Sequence, residues 1–265
     1  LRIEKNDSGY LVGTFKGELL QLNHQFEIQK VLARNSEALP VSYLYHDPLL
    51  KRTIFASKGF SILEHSAPEK NFNVAVKQMV DLDGKYAAYA ASGSCGLYLK
   101  TQPDNSFHSV WDAHFQTNSL GQKTSMARLL NGLRGKAVDY NVKQQKIVFA
   151  TNIGLYMVSP DGWKEMLHDS VSFYASDVVW MKDIIYSLDT KGDVYRINEN
   201  GAFENLNKKL GIEGVEIRKI KKVGNEIVLI GTHWVYIYYA DREQIVQIPV
   251  NIGMHTIMDV LRHED

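Results

Sequence analysis

An apolar strand, a glycine-bearing turn and a second apolar strand recur about every 40 residues along this chain, a pattern that predicts an all-β propeller of four-stranded antiparallel blades. The clearest copy is KIVFATNIGLYMVS, from Lys146 to Ser159. The same plan is followed by GYLVGTFKGELLQL (Gly9 to Leu22), RTIFASKGFSIL (Arg52 to Leu63), YAAYAASGSCGLYL (Tyr86 to Leu99), DIIYSLDTKGDVYRI (Asp183 to Ile197) and EIVLIGTHWVYIYY (Glu226 to Tyr239). Spacing is the second observation. The turn glycines Gly17, Gly59, Gly96, Gly154 and Gly192 lie about 42, 37, 58 and 38 residues apart, near the blade period except once. Val235 takes the glycine's place about 43 residues later. The third observation is a leading and a trailing strand around the phrase: Val41–Tyr45 and Phe72–Val76, Ala137–Asn141 and Trp163–Leu167, Val215–Ile220 and Gln244–Pro249. Four strands per unit is what a blade requires.

Strand character comes from branched and aromatic residues bounded by Gly, Asn, Asp or Lys turns, as in Tyr10–Phe15, Thr53–Ser57, Ile147–Thr151 and Ile227–Thr232. The blade units fall at approximately 1–35, 36–76, 77–114, 134–168, 174–206 and 214–250, within one domain spanning 1–265. The polar stretch 115–133 reads as an insertion loop, with a turn or two of helix over Ser125–Leu133; a cramped seventh blade is the alternative. Leu1–Asp7 and Ile257–Asp265 both look like leading strands. Residues 251–265 therefore either start a further blade or close the ring, giving six or seven blades or a piece of a longer array. The opening on Leu1 rather than Met reads as a fragment, with any signal peptide or membrane segment lying outside it.

Formal charges cancel over the 265 residues, which argues against a nucleic-acid surface. The one dense basic run, Arg218 to Lys222, reads as a solvated blade edge that blocks edge-to-edge pairing. Cys95 is the lone cysteine, so no disulfide forms within the chain; a cytosolic and a periplasmic setting both fit. No run of about 18 apolar residues exists to span a membrane.

The stretch Asn131 to Ser159, NGLRGKAVDYNVKQQKIVFATNIGLYMVS, resembles the two-component regulator propeller repeat. That repeat reads as Asn-Gly-Leu, a spacer, an apolar strand, a polar turn, then a strand ending Gly/Ala-Thr followed by x-x-Gly-Leu. Leu210 to Tyr239, the N-terminal LRIEKNDSGYLVGTFKGELLQLN and Asn251 to Asp265 are similar to it. The family's second-strand tryptophan is Leu11, Ala88, Val148 or Val228 here, and the fifth unit has Ser187-Leu188 in place of Gly/Ala-Thr. The resemblance implies the extracytoplasmic, periplasmic sensor region of a bacterial hybrid two-component regulator. It also implies a non-catalytic module, an oligosaccharide ligand, and flanking propeller or signalling domains as partners.

No metal or cofactor is expected. Nine histidines form no HExxH pair, and His255 and His263 lie too far apart for one. Asp81-Leu82-Asp83-Gly84 lacks the remaining calcium ligands and reads as a β-turn. Gly93-Ser94-Cys95-Gly96 has the wrong spacing for a nucleophile elbow. Ser159-Pro160-Asp161-Gly162-Trp163 is out of register with an aspartate box and reads as a turn. A glycosidase or lyase would need two carboxylates about 5–10 Å apart. The acids Asp81, Asp139, Asp177 and Asp259 lie on leading strands, and the last three recur at similar places, which favours a structural role.

The turns between second and third strands and the loops between blades open on one face. The turns present Phe15-Lys16, Lys58, Ser94, Asn152, Lys191 and His233-Trp234; the loops add Arg34-Asn35, Gln116–Arg134, Phe173-Tyr174, Lys208-Lys209 and Met254-His255. Aromatic faces cover the C–H surface of a sugar while cations and amides bond its hydroxyls. The candidate ligand-binding residues are therefore Arg34, Lys58, Arg134, Asn152, Tyr174, Lys191, His233, Trp234 and His255, with Trp234 the sharpest. The alternatives are a protein-interaction scaffold and a propeller glycosidase or lyase.

Overall fold

In the strand KIVFAT, Ile147 and Phe149 pack with one neighbouring sheet while Val148 and Ala150 pack with the other, and all four are fully buried. That two-sided burial defines a blade: alternation sends successive side chains to opposite faces, and both faces are covered. The computed structural model describes residues 2–34, 40–47, 52–56, 60–64, 67–72, 75–99, 108–114, 126–250, 257, 259 and 260. It is a β-propeller, with six antiparallel sheets among the described residues, each a meander in chain order.

The chain divides into two compact units, residues 1–78 with 258–265, and residues 79–257. The first holds two blades: β1 (Arg2–Asn6), β2 (Gly9–Gly13), β3 (Glu18–Leu22) and β4 (Ile28–Arg34), then β5 (Tyr43–Asp47), β6 (Arg52–Ala56), β7 (Phe60–Glu64) and β8 (Ala67–Phe72). Leu11 and Leu19 meet Val41, Leu44 and Phe55 in its core, and Arg2 Nε donates to the Ser42 carbonyl at 2.7 Å.

The second unit carries four blades, its boundary falling inside β9 (Val76–Asp81). Blade three adds β10 (Tyr86–Ala91), β11 (Ser94–Leu99) and β12 (Met126–Asn131). Blade four is β13 (Gly135–Asn141), β14 (Lys146–Thr151), β15 (Leu155–Ser159), β16 (Gly162–His168) and the two-residue β17 (Val171–Ser172). Blade five is β18 (Ala175–Met181), β19 (Ile184–Asp189), β20 (Val194–Ile197) and β21 (Phe203–Asn205), followed by the one-turn helix α1 (Asn207–Leu210). Blade six is β22 (Ile217–Val223), β23 (Glu226–Gly231), β24 (Trp234–Tyr239) and β25 (Gln244–Pro249).

Two strand assignments differ from the sequence reading. The fourth strand of blade two is Ala67–Phe72, and Val76 already begins the next blade. The described residues of Ser125–Leu133 form no helix: Met126–Asn131 pairs with β11 as the last strand of blade three. The extra length in the interval from Gly96 to Gly154 therefore falls within that blade, between its third and fourth strands. Tyr98 opposite Met126 and Leu97 opposite Ala127 give the segment its strand partner, and that pairing overrides its helix-compatible composition.

A side-chain acceptor closes the turn between second and third strands in three blades. Thr151 Oγ1 accepts from Gly154 N at 3.0 Å, Thr14 Oγ1 accepts from Glu18 N at 3.0 Å, and Asp189 Oδ1 accepts from Lys191 N at 2.8 Å and Asp193 N at 2.9 Å. The recurrent threonine is thus a turn residue. Blade five fills the same role one residue beyond Ser187-Leu188, with Asp189 opposite Ala175 as Thr151 is opposite Gly135.

Sheets in a propeller share no backbone ladder, so the first strands need another connection. Asp139 Oδ1 accepts from Tyr140 N at 2.8 Å while its Oδ2 reaches Trp180 N of the next blade at 2.6 Å. Asp177 repeats this with Val178 N at 2.9 Å and Ile220 N at 3.0 Å. In the strand register Asp139 sits opposite Val148 and Asp177 opposite Leu188, so the two lie at different levels while making the same step. Asp259 Oδ1 accepts from Val260 N at 2.9 Å, the local half of the motif. β13, β18 and β22 each also begin with a register shift, at Lys136, Ser176 and Arg218, which adds twist where the strand enters the blade.

Close approach fixes glycine at the blade-three to blade-four junction. A Cβ on Gly135 would stand 2.7 Å from Ala91 N and 2.9 Å from the Ala90 Cα, whereas a Cβ on Gly93 would meet nothing within 4 Å. Gly135→Ala should therefore lower the unfolding midpoint by the equivalent of about 1–3 kcal/mol. Gly93→Ala should stay within about 0.5 kcal/mol of wild type in the same urea titration. Equal midpoints for the two variants would contradict this packing.

Candidate functional site

Strand direction sets the two ends of each blade. The second-to-third-strand turns and the starts of the first strands lie at one end, and the first-to-second-strand turns lie at the other. At the former end of the second unit, Arg134 and Asn152 are joined: Arg134 N donates to Asn152 Oδ1 at 3.1 Å, and Asn152 N donates to the Arg134 carbonyl at 3.0 Å. Tyr174 and Lys191 are brought to the same turn, because Thr190 N donates to the Tyr174 carbonyl at 3.1 Å. His233 and Trp234 form the tip of the β23–β24 hairpin, where Trp234 faces Pro249 across the sheet and keeps 40% of its surface exposed. Ile153 and Tyr174, at the same end of their own blades, are exposed at 43% and 52%.

Arg34 ends β4 in the first unit and pairs with Glu18 at 3.2 Å. Lys58 and His255 lie outside the described residues. Ser94 is buried, and Lys209 points elsewhere: its ammonium sits 2.7 Å from Glu243, in a cluster with Arg196 and Glu204. α1 turns the side chain onto those carboxylates, a consequence of blade five's short last strand that the sequence pattern did not expose.

The opposite end holds a cavity of about 520 Å³ that sequence reasoning missed. It is lined where β13, β18 and β22 finish: Tyr140, Asn141 and Lys143 from blade four, Trp180 and Lys182 from blade five, and Lys222 from blade six. Lys222 belongs to the basic run expected to be a solvated edge. β22 is indeed an edge strand of its sheet and Lys222 is exposed, but its ammonium also donates to Asp139 Oδ2 at 3.2 Å and to the Trp180 carbonyl at 2.9 Å, while Ile220 is buried on the same side of the strand. The available signal was a lysine in or beside the turn that follows each of two first strands, at Lys143 and Lys182. A second, smaller groove of about 260 Å³ is lined by Met157, Ser159, Lys164 and the exposed Trp163, whose ring meets Tyr156 edge-on at 5.5 Å.

The acids examined for chemistry are engaged in structure. Asp81 Oδ1 accepts from Gly84 N at 3.2 Å and Asp83 Oδ1 from Tyr86 N at 2.8 Å, so the segment is the expected turn. Asp83 also bonds the Ser109 hydroxyl. Asp112, in a short 3-10 turn over Asp112–His114, takes Lys85 Nζ at 2.7 Å, the Tyr86 hydroxyl at 2.7 Å and Ser109 N at 3.0 Å. Burial works to raise the Asp112 carboxyl, but these three donors outweigh it and hold it down to about 2 from the ordinary 3.8. Burial and the adjacent Asp112 push the Tyr86 hydroxyl up. This clamp seats Trp111, which is fully buried, against the cluster that includes Tyr140 and Leu130. Among the described residues no group of three or more His, Cys, Asp or Glu is arranged to hold a metal ion.

No protein-family model and no curated protein matches this chain. Solved structures match its fold. The extracellular domain of the putative hybrid two-component system BT3049 from B. thetaiotaomicron superposes with a TM-score of 0.68 at 12% identity, over 96% of this chain and 35% of that one. PorZ, a bacterial surface component of the type-IX secretion system of Porphyromonas gingivalis, gives 0.64 at 12% identity, over 94% of this chain and 32% of its own. The WD40 propeller of Doa1 gives 0.64 at 13%, over 93% of this chain and 80% of that one. The chain thus spans about a third of the length of the two bacterial structures, and at these identities the likeness is one of fold.

A pH titration tests the Asp112 clamp. Because its folded carboxyl is depressed, the clamp's stabilisation is present above the unfolded value of about 3.9 and is lost as pH falls through about 2. The midpoint difference between wild type and Asp112→Asn should hold from pH 7 to 5 and shrink between about pH 4 and 2. A difference that persists unchanged to pH 2 would show that the carboxylate charge is not what the clamp uses.

Proposed function

We propose that this chain is a non-catalytic, ligand-sensing propeller from the extracytoplasmic region of a bacterial signal-transduction regulator, and that it recognises a carbohydrate-like ligand. The observation that carries the reading is the turn end of the second unit, where exposed Ile153, Tyr174 and Trp234 accompany Arg134, Asn152, Lys191 and His233. Aromatic and apolar tips suit the C–H face of a sugar, and the cations and amide suit its hydroxyls or an acidic substituent. A non-catalytic role agrees with the use of Asp139 and Asp177, whose carboxylates are occupied by backbone N–H groups. The BT3049 likeness and the propeller-repeat resemblance support the sensor setting. No helix among the described residues is long and apolar enough to cross a membrane.

A protein-docking scaffold is the second reading. Leu167, Val171, Val246 and Ile248 are exposed along the last strands of blades four and six, where a partner protein would bury apolar area.

A thermal-shift screen against neutral and acidic oligosaccharides tests the proposal. A saturable rise in Tm that is lost in Trp234→Ala and in Arg134→Ala is the expected result. A flat response from folded protein across the screen would overturn carbohydrate recognition and favour docking.

A further inference from the structure

The cavity at the far end of the first strands has a chemistry that the sugar-type face does not share. Its wall takes one lysine from each of three successive blades, Lys143, Lys182 and Lys222, against one carboxylate, Asp183. That carboxylate is already engaged, accepting from Gln144 Nε2 at 3.0 Å. Lys222 is held in place by Asp139 and the Trp180 carbonyl, which uses two of its three N–H donors. Lys182 pairs with Asp241, which is 65% exposed and thus competes weakly with a bound charge. Lys143 has no ion-pair partner among the described residues. Trp180, part of the same wall, has a buried indole N–H without a hydrogen-bond partner among them. The volume of about 520 Å³ is that of a small-molecule site.

We propose that this cavity binds a small multiply charged anion of carboxylate or phosphate type, clamped by three lysines from three blades. Lys222 and Lys182 each already face one carboxylate, Asp139 and Asp241, and a di- or trianion placed among the three ammonium groups fills the donors those pairs leave free and gives Lys143 a counter-charge. Such a ligand would also tie three blades together at the end away from the exposed aromatic tips. The site is independent of carbohydrate recognition, because it shares no residue with that face.

Calorimetric titration of the chain with citrate and with inorganic phosphate, at constant ionic strength held with sodium chloride, tests the assignment. Saturable binding of either probe is expected, weakened about fivefold or more in Lys143→Gln and in Lys182→Gln, and unchanged in Lys30→Gln on the exposed last strand of blade one. Lys143 and Lys182 are exposed, so both variants should keep the wild-type circular dichroism and melting profile. No binding of either probe at constant ionic strength would overturn the proposal. So would binding that Lys143→Gln and Lys182→Gln leave intact, since the anion would then sit elsewhere. Loss of citrate or phosphate binding with an intact oligosaccharide response, or the reverse, separates this site from the carbohydrate face.

Discussion

The structure depends on how sheets that share no backbone ladder are joined. Within a blade, antiparallel hydrogen bonds fix every neighbour; between blades the links are made mostly by side chains, with an isolated backbone bond such as Val41 N to the Thr14 carbonyl at 2.9 Å. Buried faces supply most of the attraction, as where Val148, Ala150, Leu155 and Met157 of blade four meet Val178, Trp180 and Ile185 of blade five. Apolar contact is non-directional, however, and does not fix the level at which one sheet sits against the next. The carboxylates of Asp139 and Asp177 do, because each accepts one N–H from its own strand and one from the neighbouring strand. A charged acceptor facing two backbone donors is a strong and geometrically selective connection. Ion pairs such as Lys146–Glu199 and Arg196–Glu243 add surface links whose contribution is smaller.

Most of this fold is legible in the sequence because each blade writes the same local instructions. Alternation in KIVFAT marks a strand buried on both faces, and Thr151 or Thr14 at its end marks a turn that needs a side-chain acceptor. Asp189 shows why the motif varies without changing the structure, since a carboxylate closes that turn as well as a hydroxyl does. Where the repeat is interrupted, reading by period failed. Met126–Asn131 is separated from β11 by a long connection, and only its partner strand reveals its role. Asp139 and Asp177 make the same link between blades, but they do not stand at the same place in the repeat: Asp139 is opposite Val148, well inside its strand, and Asp177 is opposite Leu188, near the start of its own.

The candidate sites divide along the same line. Turn residues such as Asn152, Lys191 and Trp234 could be placed on one end from strand order alone, and the structure joins Arg134 to Asn152 and Tyr174 to the Lys191 turn. Lys209 escaped that logic because α1 redirects it onto Glu243. The lysine-lined cavity escaped it too, since Lys143, Lys182 and Lys222 are separated in sequence and converge only when three first strands are stacked. The candidate sites thus fall where strands end, while the repeat itself encodes the frame.

Urea denaturation of Asp139→Ala and Asp177→Ala, with the exposed Asp161→Ala as control, tests that frame most directly. Removing either inner aspartate leaves a buried N–H of the next blade without its acceptor, and each should cost about 2–3 kcal/mol while the control stays within about 0.5 kcal/mol. If both inner-strand variants unfold at the wild-type midpoint, apolar packing alone sets the blades and the account of their coupling is wrong.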